Sequence, residues 1–452
     1  MIRSRVLIAS VVVPLLILVA VFLTRSKSDQ DLEDLWLGEN QVTVTSISGK
    51  PESPSGNLDS KNQSLGNIAE AVAGSGMESQ EVFPLRDSIV DLDPSLLVPM
   101  DKVTHRAIKS GNWADPSVWG GTLPYDGARV VVPEGLEILI GAEGTAHLKA
   151  LNIEGEVRLS GNVDSNLHVD TLVVNATGAL RAGGVNNPVS VDSEVMVTLE
   201  AFEDPNATPE ERRNSAVIVA EGALDLHGQP KTGVALLGAL PTVGQKELVL
   251  VEAPAGWQKG DLIVLGGNRE TREERPAFMI ESVNGNRVIL NSVDPDVENW
   301  EGLKTSFEID QNQIGFAINT SRNVAVSSPP VEDSDFPNGS VLVKNGGTAT
   351  LSGVGLYGLG VDDVLLRGQD DAVNRSAVKF EAGAGTSTIS GASLVNAPES
   401  GISVGGANVQ VVDSVAHDND GAAWVTESGS PSRLIWPKNR ITPSINGLSG
   451  GR

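Results

Sequence analysis

From residue 105 onward, apolar and polar side chains alternate with a period of two. Leu151, Ile153, Val157 and Leu159 alternate with Asn152, Glu154, Glu156 and Arg158 around Gly155, the pattern of half-buried strands. The same pattern predicts strands at 136–140, 172–174, 217–219, 248–251, 262–265 and 288–290, nearly all punctuated by Gly, Asn or Pro. Past residue 105 a single short helix is predicted, Pro209–Arg213. The folded part of the chain is therefore expected to be all-β.

Its second half repeats. Apolar triplets begin at Phe316, Val341, Val378, Ile402 and Trp424, at intervals of 25, 37, 24 and 22 residues. A period of two dozen residues holding several short strands fits one coil of a parallel β-helix, whose inward side chains stack on those of the next coil. The long interval leaves a surplus expected as a loop over 362–374, and such loops commonly carry binding surfaces. A β-sandwich is the competing reading, because irregular strand spacing suits it too.

The N-terminal end has a different character. Residues 6–23 are apolar apart from Ser10, with Pro14 within the run, and are flanked by Arg3, Arg5, Arg25 and Lys27. Eighteen residues just suffice to span a hydrocarbon core, and no good small-residue cleavage site follows, so an uncleaved signal anchor is expected over a cleaved signal peptide. Positive charge before the span, and the acids that soon follow Lys27, place the bulk of the chain outside the cytoplasm. Segment 28–100 is rich in Ser, Gly, Asn and acids and reads as a disordered stalk, or as plain disordered padding.

Charge sharpens the picture. The formal net charge is −25 over 452 residues, with +4 in 1–27, −10 in 28–104 and −19 in 105–452. Bulk affinity for nucleic acid is excluded, as polyanions are repelled. With no cysteine, disulfides, thiolate metal sites and thiol nucleophiles are excluded as well.

Residues Gly111 to Gly121, which read G-N-W-A-D-P-S-V-W-G-G, then Leu123-Pro124 and the run Val130 to Gly135, resemble the start of the G-eight domain. Further matches lie at His147 to Val157, Glu221 to Lys231 and Trp257 to Val264. The family includes fibrocystin-like proteins and cell-surface hyaluronan-degrading or hyaluronan-binding proteins. The resemblance implies a β-rich G-eight domain leading into a right-handed parallel β-helix. Trp113, Trp119 and Trp257 are expected as core plugs, with a sugar-stacking platform as the alternative.

The layout expected from all of this is a signal anchor at 1–27, a stalk at 28–100, the G-eight domain at 105–230, a β-rich connection at 231–310, the β-helix at 311–440 and a tail at 441–452. In hyaluronan-degrading relatives two motifs supply histidines associated with activity. Their counterparts here carry Lys379 and Glu381 in Ser376 to Glu381, and Ala422 in the segment Ser414 to Trp424 that precedes Glu427. Lacking those imidazoles, the chain is not expected to inherit the family's acid–base chemistry.

The remaining candidates are a catalytic set of His417, Glu427, Lys379 and Glu381, and a ligand-binding set of Asp413, Asp418, Asp420 and Trp424. The pairs Asp362-Asp363 and Asp370-Asp371 are weak candidates for a cation, with calcium the ion that suits carboxylates. The bland reading makes His417 to Gly421 a turn, and leaves His105, His147, His168 and His227 scattered. The expected function is binding of a polysaccharide or a cell-envelope protein by a membrane-anchored β-helix without catalysis and without a required cofactor. The lipid bilayer is a partner through 6–23. A polysaccharide-degrading enzyme with a diverged site and a structural envelope spacer are the rivals.

Overall fold

The computed structural model describes residues 94–435, apart from 267–276, 295–296, 298–299, 305–314, 330–336, 365–372, 399, 418, 420–422 and 427–432. The expected anchor and residues 28–93 of the expected stalk lie outside the described residues, while 94–100, the end of that expected stalk, are described and begin with the short helix Pro94–Leu97. Among the described residues no helix is long and apolar enough to cross a membrane.

Period-two burial is satisfied by winding the chain into parallel coils with up to three strands each. The first face stacks His105–Arg106, Arg129–Val132, Leu148–Ile153, the second half of Ser165–Val174, Val217–Ala220, Ser340–Val343, Val378–Phe380, Ile402–Val404 and Trp424–Thr426. The second face is a nine-stranded sheet from Gly111–Asn112 to Arg433–Ile435. The third runs from the first half of Ser165–Val174 through Val195–Leu199 and Val324–Ser327 to Val415–His417. Ser165–Val174 passes from the third face to the first without a turn and joins both into one sheet.

Register puts like on like. Val130, Leu151, Leu172, Ile218, Val341, Val378 and Ile402 form one inward row on the first face, and all belong to a single core. Every such row removes apolar surface from water once per coil. Trp113 and Trp119 are buried edge to face at 4.7 Å, and Trp119 Nε1 donates to the Trp113 carbonyl at 2.8 Å; they pack the core and form no exposed platform. Outside the first face, Leu97 of the short helix Pro94–Leu97 covers Val173, Val219 and Leu342.

Parallel pairing starts at His105 and continues through Val217–Ala220 onto Ser340–Val343, so the coils before residue 230 and the later coils are one column. One expectation changes. Phe316–Asn319 is not a coil strand. It pairs antiparallel with Val234–Leu236 and Leu262–Gly266 in a six-stranded sheet that leaves the column after His227 and returns before Val324. A four-residue apolar strand carries no mark of parallel or antiparallel partners, which is why the repeat absorbed it. This inserted sheet has its own core around Trp257, Phe278 and Ile280. The sandwich reading falls with the parallel coils.

The surplus over 362–374 forms part of a hairpin, with Val361–Val364 antiparallel to Val373–Arg375. The helix Pro209–Arg213 is present, closed by a capping box in which the Thr208 side chain and Glu211 each cap the other's backbone.

Candidate functional site

At the corner between the first and second faces, each coil turns on a glycine. A Cβ at Gly178 would lie 2.0 Å from the Ile153 carbonyl oxygen, and one at Gly222 2.2 Å from that of Asn175. Gly155 and Gly347 meet the preceding coil at 2.3 and 2.2 Å. No side chain fits in such spaces, so successive backbones close on one another and leave a shallow trough along the column, about 560 Å³ in volume and open to solvent. Backbone forms its floor, with Ala176, Thr177, Glu221 and Thr348 along it.

The trough borders the outer surface of the second face, where register builds a charge ladder. Glu137 pairs with Glu156 on the next coil, and Leu139, Arg158, Arg181, Asp225, Thr350, Thr388 and Gln410 form the neighbouring outward row. Arg158 Nε reaches Glu137 at 3.3 Å and its Nη2 pairs with Glu156; Arg181 Nε reaches Glu156 at 3.3 Å and its Nη1 pairs with Asp225. Asp225 also binds His227 Nε2 at 2.5 Å. Every carboxylate of the ladder thus has a cationic or imidazole partner, while beyond Asp225 the row offers only hydroxyls and an amide. Asn345 Nδ2 donates to Glu221 at 2.6 Å at the trough's edge. An open, polar, axial surface of this kind can hydrogen-bond an extended polymer and offers no enclosed pocket for a small molecule.

The predicted site residues fall elsewhere. Lys379 is on the first face between Leu342 and Ser403 and is buried; Glu381 follows that strand. His417 ends a strand of the third face, beside Val395. The structure therefore does not gather Lys379 and His417 onto one face. Asp413 is exposed in a left-handed turn at φ 48°. Trp424 belongs to a first-face strand, in register with Ile402. Asp362 and Asp363 lie in the hairpin strand Val361–Val364, while Asp370, Asp371, Asp418, Asp420, Ala422 and Glu427 lie outside the described residues. Asn419 Oδ1 accepts from Ala397 N–H at 2.8 Å, as a turn residue does.

The histidines are not all scattered. His105 meets Tyr125 edge-on and His227 pairs with Asp225, but His147 and His168 stack at 3.9 Å with rings 2° from parallel. The ladder residues Glu137, Glu156, Arg181 and Asp225 were missed from sequence alone. Glycines recurring just after first-face strands were the available signal, and only register shows that they share a corner.

Residues 118–238 match the family model of the G8 domain. Fibrocystin-L from Homo sapiens is 28% identical over 187 residues, 40% of this chain and 4% of that protein. Fibrocystin from Mus musculus is 25% identical over 240 residues, 50% of this chain and 6% of that protein. The match thus spans only a small part of these relatives. Among solved structures, the tailspike protein gp49 from Pseudomonas phage LKA1 is 12% identical with a TM-score of 0.18, covering 62% of this chain and 37% of that one; at that score the likeness carries no argument.

Proposed function

Because this chain carries a G8 domain, we propose that it is a membrane-tethered, extracytoplasmic protein whose column holds a polysaccharide lengthwise along the glycine trough without cleaving it. The trough carries the proposal. It runs parallel to the column axis, so a polymer laid in it meets a polar corner at every coil, about 4.8 Å apart. Ladder carboxylates already engaged by arginines act as hydrogen-bonding groups. Net charge of −19 in 105–452 favours a neutral glycan over a polyanion. The tether is the apolar run 6–23.

Binding of the full-length chain to a panel of neutral and anionic polysaccharides tests the reading. Retention of a neutral polymer, lost in Ala176→Trp, which fills the trough from an exposed position, is the expected result. No retention of any polymer, or equal retention by the variant, would overturn it. Shortened chains after incubation would favour the degrading enzyme.

A further inference from the structure

The corner where the third face passes into the first carries a different chemistry. His147 immediately precedes Leu148–Ile153, His168 sits within Ser165–Val174 and Glu200 follows Val195–Leu199, so the coil repeat brings three sequence-distant side chains to one place. His168 Nε2 lies 2.7 Å from Glu200 Oε2, and His147 Nε2 lies 2.9 Å from the Glu200 carbonyl oxygen. One ligand atom from each of the three falls within 4.8 Å of the others, and all three side chains are half-buried.

Backbone contacts fix the set from behind. His147 N–H donates to Asp126 Oδ1 at 3.0 Å, His168 N–H to Thr145 Oγ1 at 2.9 Å, and Glu200 N–H to the Val169 carbonyl at 3.2 Å. Phe202 lies edge-on to the His147 ring at 5.1 Å.

We propose that His147, His168 and Glu200 form a transition-metal site that takes zinc and leaves a coordination position open to solvent. Two imidazoles and one carboxylate suit zinc, copper or nickel, whereas calcium prefers all-oxygen ligands. Bonds of about 2.0–2.2 Å in a tetrahedral site put ligand atoms about 3.4 Å apart, so the His168–Glu200 pair, at 2.7 Å, opens slightly while separations of up to 4.8 Å close by an ångström or so, which half-buried side chains at a coil corner can do. The site is independent of the glycan reading, since it lies at another corner of the column.

Titration of the metal-free, full-length chain with Zn²⁺, and with Co²⁺ as a spectroscopic substitute, decides the matter. The expected result is one equivalent bound, with cobalt ligand-field bands of low coordination number and imidazole scattering in X-ray absorption. His168→Gln and Glu200→Gln should each weaken binding about a hundredfold or more, while His417→Gln leaves it unchanged and Ca²⁺ does not compete. Absence of saturable zinc uptake, uptake retained by the His147→Gln/His168→Gln double variant, or a wild-type absorption spectrum without imidazole would overturn the proposal. The wild-type spectrum gives its answer even where a variant fails to fold.

Discussion

The column and the sheet inserted into it are both built of short strands that turn one apolar side onto a core, yet they secure their register differently. The column stacks aliphatic rows, with few rings beyond Trp113, Trp119 and Phe380 in its core, and its coils close at glycine corners where a Cβ would strike backbone. In the inserted sheet antiparallel hairpins pack around Trp257 and Phe278, with Trp300 against them. One region is held by how near its backbones come, the other by how much ring surface it hides. The first arrangement leaves an outer trough along its glycine corners.

A buried polar seam joins the two. Lys231 Nζ meets Asp261 at 2.5 Å with both side chains 3% exposed, and Asn319 Nδ2 donates to Asp261 at 2.8 Å. Tyr357 Oη donates to the Thr320 carbonyl and accepts from Arg322 N–H, while Arg322 Nε donates to the Gly391 carbonyl on the column. Burial lowers the pKa of Arg322, with Tyr357 and Asp261 opposing that shift. Gln229 N–H and Asn323 Oδ1 close the exit and return of the insertion at 2.8 Å.

The sharpest way to separate the two regions is Asp261→Ala, which strands Lys231 in the seam and should cost about 3–5 kcal/mol in urea unfolding. Exchange protection should fall in the inserted sheet first. Next comes Gly178→Ala, expected to destabilise by about 2–3 kcal/mol through overpacking between coils. Gly285→Ala, in a hairpin turn of the inserted sheet at φ 58° with open space before it, should cost only about 1 kcal/mol. Equal losses at the two glycines would erase the contrast.

Tyr357→Phe should cost about 1–2 kcal/mol at neutral pH through its lost hydrogen bonds, and it also changes the alkaline limb. Burial pushes the Tyr357 hydroxyl up to about 12 from 10.0. The unfolded chain therefore ionises first, and the associated stability, present below pH 10, is lost as pH rises toward 12, by about 3 kcal/mol. The Phe variant should show a correspondingly flatter stability curve over that window. Smallest is Arg158→Ala on the exposed ladder, expected within about 1 kcal/mol by thermal unfolding.

Alternation made the strands legible from Leu151 to Val412, because a two-residue period fixes which side faces inward whatever the partner strand does. Partner choice was not legible. Phe316 to Ile318 reads like any coil strand, and coils before residue 230 differ enough in length to hide their repeat. Gly155, Gly178 and Gly222 were visible as punctuation, but their convergence on one corner depends on pairings such as Glu156 with Ala179. His147 and His168 stayed apart on paper for the same reason: one coil of sequence separates them and stacking unites them.

Hydrogen–deuterium exchange of the full-length chain with and without a retained polysaccharide tests the central claim most directly. New protection confined to the corner segments 133–136, 154–156, 175–179, 221–223 and 344–348 is the outcome expected of a chain lying in the trough. Protection centred on the inserted sheet, or on the third face around His417 with the corners unchanged, would contradict it.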